Sequence, residues 1–240
     1  KDNKKTFYKG ATICVLILAI IYGNVYIASG RSHSYDINDV MIEDLIEGEV
    51  ILDDGDNYRI DTYECVDNTA MYLGYQSINA FHSVVPSSIM EFYKFVGEER
   101  SVASRPSVNN YALRPLLSVK YLLNHSDEES FIGEDGEPLM YGYKYLRTEN
   151  DYYIYENENY IPYGFSYNYY MSYEYCEQYS ESSRASLMLK AILLDDKQIK
   201  KYKDYLTDLA SLEDGFGEYD TTLEISEESL KSDCEALRET

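Results

Sequence analysis

The longest run of uncharged, mainly apolar positions lies near the start of the chain, at residues 11–28. An α-helix of this length is about as long as the hydrocarbon core of a bilayer is thick. Four lysines precede the run, Lys1, Lys4, Lys5 and Lys9, and an acidic polypeptide follows it. Because basic residues stay on the cytoplasmic side, the pattern predicts a cytoplasmic flank at 1–10, a transmembrane helix at 11–29 and an extracytoplasmic remainder.

Two other interpretations of this run remain open. The small residues Ala28, Ser29 and Gly30 would also suit the cleavage site of a secretory signal peptide. A helix buried in a soluble core is the third possibility, although such helices rarely lack charge over so many positions.

Beyond this run, strand-like and helix-like patterns alternate without a Gly/Ser-rich linker. Alternation predicts strands at 58–63, 119–123, 141–146 and 152–155, with a hairpin turn at Glu149-Asn150-Asp151. Helical spacing predicts helices at 37–46, 86–95, 109–117, 184–194 and 197–209. The fold class expected is α+β, a mixed sheet with packed helices at 36–210, preceded by one N-terminal transmembrane helix. The acidic C-terminal segment at 211–240 is expected to lead into sequence beyond this chain.

Tyrosine is unusually abundant, with 28 Tyr against 7 Phe and no Trp. Half of the tyrosines fall between Tyr141 and Tyr179. Their rings could stack on sugars, or they could form a sheet face that packs on helices, since tyrosine combines an apolar ring with a polar tip. Both interpretations remain open.

The formal net charge of −22 excludes nucleic acid as a partner. Binding to the phosphates of a nucleic acid requires cationic side chains that displace the counterions of those phosphates. An acidic chain repels the phosphates instead. Neutral sugars, basic proteins and other cationic partners remain compatible with this charge.

No standard catalytic motif occurs in the chain: HExxH, GxSxG, a P-loop and paired CxxC motifs are all absent. The three histidines are too scattered for a zinc site. Asp54-Gly55-Asp56 matches a DxD pattern that could hold a divalent cation, but the same residues are typical of an acidic turn. We therefore expect no metal site and no cofactor. Cys65 and Cys176 could form a disulfide, or the cysteines could be separate free thiols.

The candidate binding surface is the uncharged segment 68–83, together with two residues outside it. Amide and hydroxyl side chains can bond neutral sugar hydroxyls, and an arginine could contact a phosphate. The predicted substrate-binding residues are Arg59, Asn68, Tyr75, Asn79, His82, Ser83 and Asn109. Alternatively, Arg59 pairs with Asp61 or Glu91, and the asparagines only hold loop backbone.

Several segments, in order, resemble the YfhO family of bacterial multi-spanning membrane proteins, over roughly residues 56–195. They are Tyr58-Arg59-Ile60-Asp61, Asn68, Leu73-Gly74-Tyr75, Ile78, Phe81-His82-Ser83, Glu91-Phe92, Asn109, Leu113, Val119-Lys120-Tyr121-Leu122-Leu123, Tyr155-Glu156-Asn157 and Ile161-Pro162-Tyr163-Gly164-Phe165. The resemblance implies a GT-C-type glycosyltransferase, which moves a sugar from a polyprenyl-phosphate carrier to a polymer outside the cytoplasmic membrane. In Gram-positive members, it implies teichoic acid as the acceptor.

The resemblance also implies that the catalytic carboxylate lies on an earlier part of a longer protein, so no catalytic residue is assigned here. The helix at 11–28 would then be a late transmembrane span. The expected partners are the remaining multi-spanning membrane part of the same protein, a lipid-linked sugar or wall polymer, and the membrane. A non-enzymatic, membrane-anchored extracellular binding or scaffolding module is the competing hypothesis.

Overall fold

A long helix, α1, spans Asp2–Ser32 near the start of the protein in the computed structural model. Its segment Asn3–Gly30 is long and apolar enough to cross a membrane, and its side chains are not buried against other protein. The polar side chains of Thr12 and Asn24 bond to carbonyl oxygens one turn earlier in the same helix. A helix in a bilayer must satisfy its polar groups internally in this way.

The structure describes residues 2–32, 45, 48–52, 55, 57–212 and 226–240. Its two compact units are Lys1–Glu47 and Gly48–Thr240. Most of the helix predicted at 37–46 lies outside the described residues, as do Asp54 and Asp56 of the DxD pattern. The domain boundaries predicted at 36–210 and 211–240 therefore stay predictions.

Helices and strands of the described residues alternate along the second unit. The helices that follow α1 are α2 Thr69–Tyr72, α3 Ser87–Phe95, α4 Leu113–Leu116, α5 Tyr173–Cys176, α6 Glu181–Lys190, α7 Asp196–Tyr202 and α8 Glu227–Arg238. The strands are β1 Arg59–Thr62, β2 Ala80–Phe81, β3 Ala103–Ser104, β4 Val119–His125, β5 Tyr143–Glu149, β6 Tyr152–Asn157, β7 Tyr169–Ser172, β8 Ile192–Leu194 and β9 Thr207–Asp208.

A four-stranded mixed sheet confirms the predicted α+β class. Its strand order is β1-β4-β6-β5, and β1 runs parallel to β4 while the other pairs are antiparallel. Every residue of β4 is buried, which confirms the buried strand predicted at 119–123 and extends it to the polar residues Asn124 and His125. The β5–β6 hairpin turns at Asn150 and Asp151, whose φ angles are 49° and 59°. Two consecutive positive φ values are typical of the turn that best matches strand twist.

A second sheet, with all strands parallel in the order β8-β7-β9, was missed by the sequence interpretation. The C-terminal boundary of the helix predicted at 184–194 is wrong. The observed helix α6 ends at Lys190, and Ala191 has an extended backbone. The helix predicted at 197–209 also ends early, with α7, before β9 begins. Short apolar runs fit helix and strand equally well by periodicity, so tertiary pairing decides between them.

The predicted helix at 109–117 is largely wrong as well, since only α4 is helical there. By contrast, the helix predicted at 86–95 is confirmed as α3. Gly97 follows α3 with φ +76°, and a Cβ at that position would come within 3.0 Å of the Glu181 Cβ. The chain reverses there because glycine tolerates both the conformation and the close approach.

The main hydrophobic core joins α6, α8 and β7. Leu230, Cys234 and Leu237 of α8 recur at helical spacing and are buried in it. Although most side chains of α8 are polar or acidic, its apolar face therefore contributes to the core of the second unit.

A smaller cluster lies beside the mixed sheet, where Phe131 packs edge-on against Tyr143 and Tyr155. Both tyrosines are buried, so they act as packing residues. Sugar stacking by the exposed tyrosines stays a prediction.

The four cysteines are free thiols, which makes the possible disulfide between Cys65 and Cys176 wrong. Cys65, Cys176 and Cys234 are all buried. The thiol pKa of each is raised chiefly by burial, to about 12 for Cys65 and Cys234 and to about 11 for Cys176.

Candidate functional site

A buried ion pair closes the end of β1. Asp61 accepts a hydrogen bond at Oδ2 from Arg114 Nε, 3.0 Å away, and both side chains are almost fully buried. The other carboxylate oxygen, Oδ1, accepts from the backbone N–H of Thr62. A charge can be held away from water only when it is paired and hydrogen-bonded in this way.

The same arginine holds the loop that precedes α4. Its terminal nitrogens donate to the carbonyl oxygens of Pro106, Ser107 and Asn110. A second buried carboxylate, Glu98, accepts from the Ser107 backbone and from the Asn110 side chain, each at 2.9 Å. Residues 106–110 are thus fixed at both ends by buried charges, although no secondary structure holds them.

A polar cleft of about 230 Å³ opens between this loop and the end of β1. Its lining includes the Asp61–Arg114 pair and combines charged, neutral polar and apolar residues. It is lined by Asp61, Thr62, Tyr63, Glu64, Cys65, Val66, Asp67, Asn68, Asn79, Ala80, Ser104, Arg105, Pro106, Ser107, Val108 and Arg114.

Asn79 is placed in the cleft because its segment runs alongside β1. The Ile60 backbone N–H donates to Gln76, and the Ile78 N–H donates back to Ile60. Asn79 therefore reaches Thr62, donating from Nδ2 to its carbonyl oxygen at 2.5 Å and to its hydroxyl at 3.1 Å. The other amide atom, Asn79 Oδ1, is buried and accepts no hydrogen bond from the described residues. Such an atom is costly unless something binds it.

Asn68 forms another part of the cleft wall and has a left-handed backbone, with φ 66°. Its side chain bonds both backbone groups of Phe81, at 2.8 and 3.1 Å, which ties the start of α2 to β2. Glu64, four residues earlier, also has a positive φ of 47°. Left-handed residues other than glycine cluster at functional sites more than elsewhere.

The mouth of the cleft carries exposed charges. Arg105 contacts Asp67 at 2.7 Å and lies 3.9 Å from Glu64, with each of these side chains about half exposed. The hydrogen bond to Asp67 raises the pKa of the Arg105 guanidinium. Exposed pairs of this kind are worth little in stability and exchange partners readily. The mouth can therefore offer either charge to an entering ligand.

Cys65 lines the cleft but is held as a buried thiol. Its Sγ donates to the carbonyl oxygens of Tyr63 at 3.4 Å and of Leu123 at 3.6 Å. Burial raises the pKa of this thiol to about 12, so the reactive thiolate is scarce at neutral pH.

Two further predicted residues, Arg59 and His82, line a neighbouring cavity of about 290 Å³. Arg59 donates to the Leu117 carbonyl at 2.8 Å and lies 5.0 Å from the centre of the Tyr163 ring. The alternative pairing of Arg59 with Asp61 or Glu91 is not found among the ion pairs of the described residues, and Asp61 is held by Arg114. Residues Ala80 and Ser104 border both cavities.

The remaining predicted residues lie in neither cavity. Tyr75 donates its hydroxyl to the Val50 carbonyl and accepts from Leu52, which makes it a tie between backbone segments. Ser83 and Asn109 are exposed. A role for any of the seven residues in binding stays a prediction.

The sequence interpretation missed Asp61, Arg114 and Arg105 as parts of a site. One signal could have found Arg114: it is the single charge in a segment of otherwise uncharged, largely buried residues, 110–119. A lone charge in such a segment needs a partner of opposite sign. Which charge it meets depends on the parallel pairing of β1 with β4, which places α4 beside β1.

The described residues contain no group of three or more His, Cys, Asp and Glu side chains that could hold a metal ion.

Comparison with known proteins gave one match. The family model described as bacterial membrane protein YfhO matches residues 11–231, which is most of the chain. No curated protein and no solved structure matches it.

Proposed function

Because the chain belongs to the YfhO family of bacterial membrane proteins, we propose that Gly48–Thr240 is the extracytoplasmic domain of a membrane glycosyltransferase. In this proposal, a sugar passes from a polyprenyl-phosphate donor to a cell-wall polymer such as teichoic acid in a Gram-positive bacterium. The domain holds the polymer near the site of transfer, and its polar cleft binds one sugar or polyol unit.

The observation that carries the proposal is Asn79, which lines the cleft and whose buried Oδ1 has no hydrogen-bond partner among the described residues. Because this oxygen is buried, a ligand hydroxyl can donate to it only if the Asn79 side chain turns towards the cleft, but the oxygen itself gives up no bond inside the protein when it does so. The cleft is smaller than the roughly 300–1,000 Å³ typical of sites for drug-sized ligands, so it suits a single small unit.

The charges at the cleft mouth fit a polymer whose units are joined through phosphates. Arg105 can turn from Asp67 towards a phosphate oxygen, because guanidinium groups bind carboxylates and phosphates in the same geometry. The acidic neighbours would keep such contacts weak and reversible, which suits an acceptor that must move on after each transfer.

The chemical step itself is assigned to the rest of the membrane protein. A transfer of this type needs a carboxylate that assists the acceptor hydroxyl. Asp61 is the most buried carboxylate of the cleft, but both its oxygens are bound within the protein and its charge is neutralised by Arg114. The domain therefore contributes positioning, which by itself can lower a barrier by several kcal/mol, up to about 7–11 in the best intramolecular cases.

Variants of the cleft in the full-length protein test this function. Asn79→Ala should reduce polymer-linked sugar in cells, because it removes the free acceptor oxygen of the cleft. Gln178→Ala is the matched control, since Gln178 is an exposed amide that lines neither cavity and is not among the predicted binding residues. Both variants must insert in the membrane at normal levels. Equal sugar content in Asn79→Ala and Gln178→Ala would remove the cleft from the proposal.

Deletion of Gly48–Thr240, which includes the core helix α8, tests the domain as a whole. The shortened, properly inserted protein should leave the wall polymer without its sugar, and the present chain alone should transfer none. Normal sugar content in the shortened form would contradict a role in transfer and would favour the scaffolding hypothesis.

A further inference from the structure

An apolar surface lies on the segment that borders the polar cleft. Among the described residues of Gly48–Thr240, eight large apolar side chains other than tyrosine are exposed, and five of them fall between positions 71 and 102. These five form what we call the apolar surface: Met71, Phe81, Val84, Ile89 and Val102. Val84 is the most exposed, at 87%.

Contacts between backbone segments bring these residues to the same part of the domain. Phe81 is bonded through its backbone to Asn68, which begins the helix that carries Met71. It also pairs with Ala103 across the β2–β3 ladder, and the next residue, His82, donates to the Val102 carbonyl. His82 and Ile89 line the same cavity.

Four of the five residues of the apolar surface lie in a segment without charge; Val102, which follows Glu98-Glu99-Arg100, is the exception. Residues 68–90 contain no Asp, Glu, Lys or Arg, although 27% of the chain is charged and its net charge is −22. A segment of average composition would carry several carboxylates, which anionic lipid headgroups would repel. Their absence from 68–90 removes this repulsion from the segment that contributes most of the exposed apolar side chains.

We propose that the apolar surface inserts into the interfacial region of a lipid bilayer, namely the one that α1 anchors the chain to. The anchor keeps the domain close to the membrane, so that even weak insertion becomes an intramolecular event with a high effective concentration. Apolar side chains on an uncharged segment favour the boundary between headgroups and acyl chains. Tyr72, which is half exposed beside Met71, has the amphipathic ring that is typical of that boundary.

Insertion of the apolar surface, referred to below as docking, would fix the distance between the polar cleft and the membrane surface. Asn68 belongs to the cleft wall and also holds Phe81 of the apolar surface. In the proposed glycosyltransferase, docking would keep the cleft at the level where a lipid-linked sugar leaves the membrane, but the insertion itself is independent of that function.

Single-tryptophan variants test the insertion directly, because the chain contains no Trp. The chain carrying Val84→Trp is reconstituted into phosphatidylcholine vesicles, with and without bromine on the acyl chains. Bromine quenches tryptophan only at short range. In vesicles without bromine we expect the tryptophan emission of Val84→Trp to be blue-shifted. In brominated vesicles we expect most of the emission intensity to be lost. The matched control is Tyr205→Trp, at a position that is 83% exposed and outside the apolar surface. Its emission should stay red-shifted and unquenched.

A second pair of variants separates insertion from damage to the fold. Phe81→Trp should be quenched by the brominated lipid, and adding Val84→Glu should abolish that quenching. Adding Tyr205→Glu instead should leave it unchanged. Circular dichroism in the same vesicles checks that each variant is folded.

Two outcomes would overturn the proposal. One is a folded chain in which both Val84→Trp and Phe81→Trp remain red-shifted and unquenched by the lipid. The other is that Val84→Trp escapes lipid quenching yet is shielded from aqueous acrylamide in the full-length protein, which would identify a protein surface as the occupant instead.

Discussion

Arg114 Nε donates to Asp61 Oδ2 at 3.0 Å, and this buried pair joins the end of the first strand to the loop that forms the opposite wall of the polar cleft. The pair stabilises the fold by neutralising a buried charge. It also shapes the cleft, because Arg114 donates hydrogen bonds to three carbonyl oxygens of residues 106–110. Stability and ligand binding should therefore depend on the same side chain.

Arg114→Met should destabilise the fold by about 3–5 kcal/mol, because it leaves Asp61 as an unpaired buried charge. Arg105→Met is the matched control: its ion pairs are half exposed, and it should cost about 0–1 kcal/mol. Denaturant unfolding of the chain in detergent micelles measures both. Hydrogen exchange in residues 106–110 should rise only in Arg114→Met. Similar stability losses in the two variants would contradict the assigned role.

The hairpin turn depends on left-handed backbone at Asp151. Asp151→Val should destabilise the protein by about 1–2 kcal/mol, because a β-branched residue fits poorly at its φ of 59°. Asp151→Gly, the control at the same position, should be neutral or slightly stabilising, since glycine adopts this conformation freely. The two melting temperatures provide the comparison. A valine variant as stable as the glycine variant would show that the turn changes conformation.

The C-terminal helix should be essential to the core. Leu230→Ala should cost about 2–5 kcal/mol, the usual price of a large cavity in a packed interior. Lys231→Ala, one residue later on the exposed side, should change stability by no more than about 0.5 kcal/mol. Thermal unfolding of both variants in micelles is the measurement. A neutral Leu230→Ala would mean that α8 packs against the core only weakly.

The buried thiols should resist alkylation in the native protein. In a Cys14→Ser background, iodoacetamide at about pH 8 should label the chain only after unfolding, because each buried thiol has a raised pKa. Ser83→Cys adds an exposed thiol that should react at once. Fast native labelling without this added cysteine would contradict the burial.

The same pKa shifts predict a sensitivity to alkali. A thiol whose pKa is higher in the folded state favours folding while it is protonated. That contribution is complete below the ordinary thiol pKa of 9.0 and is lost as the pH rises towards about 11 for Cys176 and about 12 for Cys65 and Cys234. Unfolding free energy should therefore fall above about pH 9. Replacing the three thiols by alanine should reduce the steepness of that fall.

The lysines that precede the apolar run at 11–28 predict that the start of the chain faces the cytoplasm. A cysteine placed at Asp135 should react with an impermeant maleimide in intact cells, and one placed at Lys4 should react only after the cells are opened, both in a Cys14→Ser background. The reverse pattern would place the domain in the cytoplasm and remove the proposed function with it.

The sequence by itself determined the features that depend on near neighbours. A charge-free run of sufficient length predicts α1, a run of apolar residues predicts the buried strand β4, and Asn150-Asp151 between alternating segments predicts the hairpin. In each case the deciding interactions, helical hydrogen bonds or a two-residue turn, lie within a few positions along the chain. The order of several family-like segments likewise sufficed for the YfhO family.

Only the tertiary structure decided the second sheet and the composition of the cleft. Ile192–Leu194 becomes a strand because β7 offers it backbone partners, which no local pattern reveals. Asp61 meets Arg114, 53 residues away, because β1 pairs in parallel with β4 and so brings α4 beside it. A buried charge requires a partner, but which partner it finds depends on strand pairing, and strand pairing is a property of the whole fold.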